Sequence, residues 1–342
     1  MDKLKFGIIG TGRIGRLHVE NITRFIPEVE IVAVADVMID LARDWADGWG
    51  IPNLFSDYRE LLALEEIDAV IIATPTDTHA PIAVASAEAG KHIFCEKPID
   101  MSLEKTYEVV QAVKKAGVTF QVGFNRRFDH NFRRVRQHVM DGTVGEPHIV
   151  RVTSRDPAPP PAEYVASSGG LFVDMMIHDF DMVRYLSGQE VKRVTAHGAV
   201  LVDPAIGEAG DIDTAVVTLE LENGGIAVID NSRQAVYGYD QRVEVFGSKG
   251  QAVAYNDHPN TVELYTDETV KKDKIPYFFL DRYTGAFVDQ FTDFVLALKG
   301  EGDVPVDATD GLRALELALA AGESLRTGKT VDVKRADFAE GV

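Results

Sequence analysis

The chain has a single cysteine, Cys95, among 342 residues. No internal disulfide can form, which fits a reducing compartment, and the cytoplasm is the expected location. No apolar run is long enough to span a bilayer, and no basic-then-apolar leader precedes the first apolar segment, so no membrane partner is expected. Positive charge is scarce: 35 Lys and Arg against 54 Asp and Glu leave a net charge of −19. Phosphate contacts need a basic surface, which argues against a nucleic-acid partner. The nine histidines contain no HxxxH pair, and one cysteine cannot build a sulfur-rich site, so no metal is expected. With 45% apolar and 26% charged residues, the chain reads as globular and long enough for two domains.

What is present begins with Gly10-Thr11-Gly12-Arg13-Ile14-Gly15, directly after the apolar run Leu4 to Ile9. Glycines at this spacing allow a tight turn from strand to helix, and they let backbone N–H groups approach a pyrophosphate. A second apolar run, Ile31 to Ala35, ends in Asp36, at the distance where a carboxylate meets the adenosine ribose. A carboxylate there repels a 2′-phosphate, and Val37, Met38 and Ile39 bring no positive charge to offset it. NAD is therefore expected over NADP.

Strand and helix patterns alternate through the first third of the chain. Apolar strands are expected at Leu54-Phe55, Ile67–Ala73, Ile93–Cys95 and Val118–Val122. Asp57 and Glu60 have capping-box spacing. Ser102 is placed to cap a helix with Leu103, Tyr107, Val110 and Val113 on one face. Such alternation predicts a parallel sheet, whose ligands bind beyond the C-terminal strand ends. Thr74 to His79, Glu96 to Pro98 and Gly123 to Arg127 lie there, making Thr74, Thr76, His79 and Glu96 candidate cofactor contacts. Later, Val217, Leu219 and Leu221 alternate with polar residues before Asn223-Gly224, a hairpin signal. The expected architecture is a Rossmann dinucleotide-binding domain over 1–123, followed over 124–342 by an α/β domain with a large open, mostly antiparallel sheet. Late helices carrying Phe287, Phe291, Phe294 and Leu298, and then Leu312, Leu315 and Leu319, are expected to be core or, alternatively, a subunit interface. They are candidates to pack back on the first domain.

Asp174 and His178 stand at i and i+4 in a helix expected after Gly169-Gly170, a spacing that puts both on one face. Histidine is the usual general base near neutral pH, and a nearby carboxylate can tune its pKa and orient the substrate. Asp179 and Asp181 are equally close in sequence. Lys97 ends a parallel strand, where an ammonium can steady a developing alkoxide. Cys95 reads as packing.

The combination of Gly10–Gly15, Cys95-Glu96-Lys97-Pro98 and Gly169-Gly170 followed by Asp174-x-x-x-His178 resembles the Gfo/Idh/MocA oxidoreductases nearly end to end. Within that family the chain looks most like bacterial inositol 2-dehydrogenases. The stretches Gly123–Asp129, Ser154–Pro161 and Asp230–Asp240 carry this closer likeness. The resemblance implies catalytic roles for Lys97, Asp174 and His178. It also implies hydroxyl-binding roles for these three with Asn125, Arg126, Ser154, Tyr237 and Tyr239, although Tyr237 and Tyr239 alternate and need not face the same way. It implies NAD-dependent oxidation of myo-inositol to its 2-ketone, and a homotetramer. The alternatives are a scyllo- or D-chiro-inositol or aldose dehydrogenase of the same family, and a non-catalytic dinucleotide-binding regulator. A biliverdin-type reductase using NADPH is disfavoured by Asp36.

Overall fold

Six short apolar runs in the first third of the chain are strands, and every pairing between them is parallel. In the computed structural model, which describes residues 3–335, they are β1 (Leu4–Ile9), β2 (Val29–Ala35), β3 (Asn53–Phe55), β4 (Ala69–Ile72), β5 (His92–Cys95) and β6 (Phe120–Val122). Their order is β3-β2-β1-β4-β5-β6. The connections change direction between β1 and β4, and the ends of those two strands frame the crevice where such sheets bind ligands. The helix Arg13–Phe25 covers β1 and β2, burying Gly15, His18, Val19 and Ile22 along one stripe. The outer expected termini, residues 1–2 and 336–342, lie outside the described residues.

Two compact units are present: residues 1–128 with 285–312, and residues 129–284 with 313 onward. The segment 285–312 thus belongs with the first unit. Phe291, Phe294 and Val295 share one core with Phe6, Ile8, Ile22 and Phe94. Ring centroids of Phe94 and Phe291 lie 4.5 Å apart, and those of Phe6 and Phe294 5.9 Å apart. The free edge of β6 is covered by the same segment, since Val122 donates its N–H to the Val306 carbonyl at 3.1 Å.

The second unit is built on β7 (Pro147–Arg155), β8 (Val191–Ala199), β9 (Thr214–Leu221), β10 (Ile226–Ser232), β11 (Asp240–Gly247), β12 (Gln251–Ala254) and β15 (Val331–Asp332). A separate exposed hairpin joins β13 (Glu263–Tyr265) to β14 (Val270–Lys272). The large sheet runs β12-β11-β7-β10-β9-β8-β15, antiparallel except for the parallel β7–β10 pair. The turn at Asn223-Gly224 closes the β9–β10 hairpin, where the Asn223 side chain accepts the Gly225 N–H at 2.9 Å. Val150, Val152, Val217, Leu219 and Ile229 are buried on one face, against which the helix Ile177–Ser187 packs. Val216, Ile226 and Phe246 remain exposed.

Three local expectations need correction. The helix Leu103–Ala116, capped by Ser102 as expected, buries Thr106, Val109 and Val110 rather than a stripe through Leu103 and Tyr107. Thr106 fits the buried face because its hydroxyl donates to the Ser102 carbonyl at 2.9 Å. In the helix Ala308–Thr327, Leu312 and Leu315 are buried, but Leu319 points outward at 37% exposure while Ala318 and Ala321 fill the core. The helix bearing Asp174 and His178 is interrupted. One segment runs Gly170–Asp174 and the next Ile177–Ser187. The Leu171 carbonyl accepts from both Met175 and Met176, at 3.1 and 2.9 Å. The ladder slips by one residue here, so Asp174 and His178 stand on successive helical segments and not on one continuous helix.

Candidate active site

In the first unit the glycines do what their spacing requires. Gly10 has φ +100°, and a Cβ there would lie 2.5 Å from the Ala73 carbonyl oxygen. A Cβ at Gly15 would lie 2.0 Å from the Gly10 carbonyl oxygen, so strand and helix meet only without side chains. At Gly12 a Cβ would meet nothing within 4 Å, which leaves the backbone open to a ligand. Gly12 also caps the helix Arg13–Phe25 without any side-chain bond, and no acidic residue occupies the first turn. A helix N-terminus with neither a side-chain cap at Gly12 nor an acidic first turn suits an anion. Arg13 is exposed and Ile14 half-buried beside it.

Asp36 is tied to this turn. One carboxylate oxygen accepts the Thr11 N–H and hydroxyl, both at 2.7 Å, and the other accepts the Met38 N–H at 2.8 Å. Burial pushes its pKa up, but these bonds and the nearby Arg16 guanidinium outweigh it and hold the carboxyl below the usual value. Arg16 escaped the sequence reading. Its Nε donates to the Thr11 carbonyl at 2.9 Å and its guanidinium lies over Trp45. The donor set fits a dinucleotide: open N–H groups at Gly12 for the pyrophosphate, and an ionised Asp36 for the ribose.

At the ends of β4 and β5, the His79 ring lies between two loops, with Nε2 2.8 Å from the Thr74 carbonyl and Nδ1 2.8 Å from the Pro98 carbonyl. Both nitrogens are thus engaged by main chain, and His79 ties the Thr74–Thr76 loop to the Lys97-Pro98 turn. The Thr78 hydroxyl lies 2.7 Å from that of Thr74, and Thr76 is half-buried. Glu96 is held by a residue that sequence missed: the fully buried His18 reaches it with Nε2 at 2.7 Å. Phe94 and Phe291 flank the imidazole edge-on. A Cβ at Gly123 would lie 2.9 Å from Glu96, so that glycine makes room for the carboxylate. The signal for His18 was its place on the buried stripe of the first helix. Lys97 follows, half-buried. Cys95 is fully buried, and burial and then the Glu96 charge push its thiol well up, which leaves it inert. Asn125 and Arg126 sit buried in the short turn Asn125–Phe128. Arg127 pins that turn through the Pro305 carbonyl at 2.8 Å and the Asp310 carboxylate at 2.9 Å.

In the second unit, Gly169 and Gly170 have φ +85° and +79°, and the Asp211 carboxylate accepts the Leu171 N–H at 2.9 Å. This turn launches the segment ending in Asp174. The Asp174 carboxylate accepts from the Tyr164 hydroxyl at 2.8 Å and lies 3.0 Å from Arg233. Burial and then the Asp174 charge push the Tyr164 phenol up, so it stays a donor. His178 is half-buried, whereas Asp179 and Asp181 are buried, with Asp179 accepting from Asn231 at 2.9 Å. Of the neighbouring carboxylates, Asp174 is the one left partly accessible. The stretches Ser154–Pro161 and Asp230–Asp240 adjoin through the β7–β10 and β7–β11 pairings. Within them Ser154 is fully buried and accepts from Gln241 at 3.0 Å. Tyr237 is exposed and donates to Asp240 at 2.6 Å, while Tyr239 is buried edge-on to Tyr283. The two tyrosines therefore differ in exposure.

A three-residue group, Asp129, His130 and Asp257, has ligand atoms within 4.8 Å of one another. The Arg282 guanidinium already bridges both carboxylates, at 2.5 and 3.3 Å, and fills the place of a cation. No described helix is long and apolar enough to cross a membrane.

A parallel sheet with an open glycine turn and an ionised Asp36 defines a dinucleotide-binding protein. Residues 4–124 match an oxidoreductase family with an NAD-binding Rossmann fold, and residues 132–253 match the Gfo/Idh/MocA C-terminal domain. The chain belongs to the Gfo/Idh/MocA oxidoreductases, and its cofactor is NAD. It is 53% identical to an uncharacterized oxidoreductase of Bacillus subtilis, YrbE, over 97% of each chain. It is 45% identical to a myo-inositol 2-dehydrogenase of Thermotoga maritima, over 97% of this chain and 99% of that one. A scyllo-inositol dehydrogenase of Lactobacillus casei, solved with NAD(H) and scyllo-inositol, superposes with a TM-score of 0.90 at 32% identity, over 97% of this chain and 99% of that one.

Proposed function

We propose that this protein oxidises a cyclic polyol, myo-inositol, at one ring carbon to the 2-ketone with reduction of NAD. The observation that carries the reading is the 45% identity, across nearly the whole of both chains, to a myo-inositol 2-dehydrogenase. NAD held by the glycine turn and Asp36 would supply the hydride acceptor for the carbinol carbon. The hydroxyl proton goes to His178, the only histidine near Asp174 in sequence. Asp174 accepts hydrogen bonds from substrate hydroxyls and keeps His178 and substrate in register. Lys97 donates to the oxygen as negative charge gathers on it. Asn125, Arg126 and the tyrosine stretch from Tyr237 to Tyr239 supply further hydroxyl contacts, with Ser154, whose hydroxyl oxygen accepts from the Gln241 amide. Gly10, Gly12 and Gly15 with Arg13 and Ile14 cradle the pyrophosphate, and Asp36 takes the ribose. Glu96, with Thr74, Thr76 and His79, shapes the nicotinamide side.

The enzyme works in the cytoplasm as a homotetramer. The exposed Val216, Ile226 and Phe246 on the outer sheet face support self-association, and a monomer in sedimentation equilibrium would remove that part of the reading.

The test is NADH formation from myo-, scyllo- and D-chiro-inositol, glucose and xylose, each with NAD and NADP. Myo-inositol with NAD is expected to give the highest kcat/KM. A higher value with another polyol would move the assignment to that substrate. No turnover while NAD still binds would turn it toward a dinucleotide-binding regulator. His178→Ala is expected to lower kcat by about 100-fold or more with NAD affinity unchanged, and an unchanged kcat would strip His178 of the base role.

A further inference from the structure

The Asp174 carboxylate is gripped from two sides by residues that have no role in the reaction so far. Tyr164, on the helix Ala162–Ser168, donates to one oxygen at 2.8 Å. Arg233, just past the end of β10, lies 3.0 Å from the other. Arg233 is 3% exposed, and its second terminal nitrogen lies 3.6 Å from Asp156, just past the end of β7. The frame around it is fixed by main chain. Arg233 donates its N–H to the Asp213 carbonyl at 2.8 Å, and Asp156 donates to Ser232 at 2.9 Å. Ala235 donates to the Asp156 carbonyl at 2.6 Å. One guanidinium thus serves two carboxylates, and the phenol of Tyr164 adds a neutral donor.

We infer that Arg233 is a positioning residue that keeps Asp174 ionised and fixes the plane of its carboxylate, with Tyr164 setting the second oxygen. A guanidinium stays protonated in a protein, and its fixed positive charge 3.0 Å from Asp174 favours the carboxylate form of that residue. Asp156 completes the device by anchoring Arg233 from the opposite side. Among the groups facing Asp174 are Tyr164 and Arg233, and Arg233 in turn faces both Asp174 and Asp156. The stretch Asp230–Asp240 thus sends Arg233 to Asp174, and the stretch Ser154–Pro161 sends Asp156 to Arg233. The catalytic meaning of the inference rests on the polyol reading, whereas its electrostatic content does not.

The experiment uses the full chain as wild type, Arg233→Met, Arg233→Lys and Tyr164→Phe. The carboxyl carbon of Asp174, assigned by its loss in Asp174→Asn, is titrated by NMR with 13C-labelled aspartate. NAD affinity and the pH profile of kcat with the best polyol are measured in parallel. Arg233→Met is expected to raise the pH at which Asp174 protonates by about one to three units, and to move the acid limb of kcat in the same direction. It is expected to lower kcat by about 10- to 100-fold while NAD affinity stays within about twofold. Arg233→Lys restores most of the titration, and Tyr164→Phe moves it upward by a smaller amount. An Asp174 titration unchanged in Arg233→Met overturns the inference. Should that variant not fold, an unmoved titration in both Arg233→Lys and Tyr164→Phe overturns it equally. Wild type inert toward every polyol, with the titration moving as expected, would sink the polyol reading and leave the inference standing. Polyol turnover with no shift in any variant would do the reverse.

Discussion

Asp36 lies in the field of Arg16, and that pairing gives cofactor choice a second handle. In the native chain the carboxylate outweighs the guanidinium toward any incoming phosphate. Asp36→Ser removes the repulsion but leaves Arg16 stacked on Trp45 and bonded to the Thr11 carbonyl. The expected outcome is NAD bound about 10-fold more weakly, equivalent to about 1.4 kcal/mol, together with a clear gain in NADP binding. Fluorescence titration with both dinucleotides reads it, and an unchanged ratio of the two affinities would remove the ribose role of Asp36. The glycines and Asp36 were legible because their chemistry forces a fixed spacing. His18, Arg16 and Arg233 were not, because each works through a fold-made neighbour: Glu96 in another part of the chain, the returning Asp36, or Asp174 from a different element. No local pattern marks a charged residue whose partner is supplied by topology.

At the scale of elements, β1, a full apolar run, is legible to the residue, whereas the β9–β10 hairpin extends three residues beyond the alternating core that marks it in the sequence. The interruption of the helix around Asp174 is not legible. Its sequence, Leu171 to His178, carries no breaker, yet the Leu171 carbonyl is used twice just after a glycine turn anchored by Asp211. That anchor is testable. Gly170→Ala places a side chain at φ +79° and 2.8 Å from the Asp211 carboxylate, which caps the Leu171 N–H. The left-handed backbone alone costs about 1–2 kcal/mol in an L-residue, and displacing Asp211 adds to it. The urea midpoint is expected to fall accordingly. Turnover should fall with it while NAD affinity is retained, since the nucleotide turn belongs to the other unit. A variant as stable and active as wild type would mean that the Asp211 cap has no part in aiming Asp174.

For the molecule as a whole, the informative feature is that the first unit closes with a segment from far along the chain. Phe291, Phe294 and Val295 fill the core beside Phe6 and Phe94, and Gln121 donates to the Gln290 carbonyl at 2.7 Å. A fragment of residues 1–128 is therefore expected to lack cooperative unfolding and to bind a hydrophobic dye. Joining residues 285–312 to it through a flexible linker should restore a sharp thermal transition. A sharp transition in residues 1–128 alone would overturn this. The same feature bears on synthesis. As the polypeptide leaves the ribosome, its amino-terminal half emerges first, yet the aromatic plug for that half is translated near the end. The nascent nucleotide-binding sheet must wait with an open apolar trough until residue 298 has cleared the exit tunnel. Domain-by-domain folding during translation, the usual order for chains of this size, is thus denied to this one, and chaperone demand during expression follows from where one helix falls in the gene.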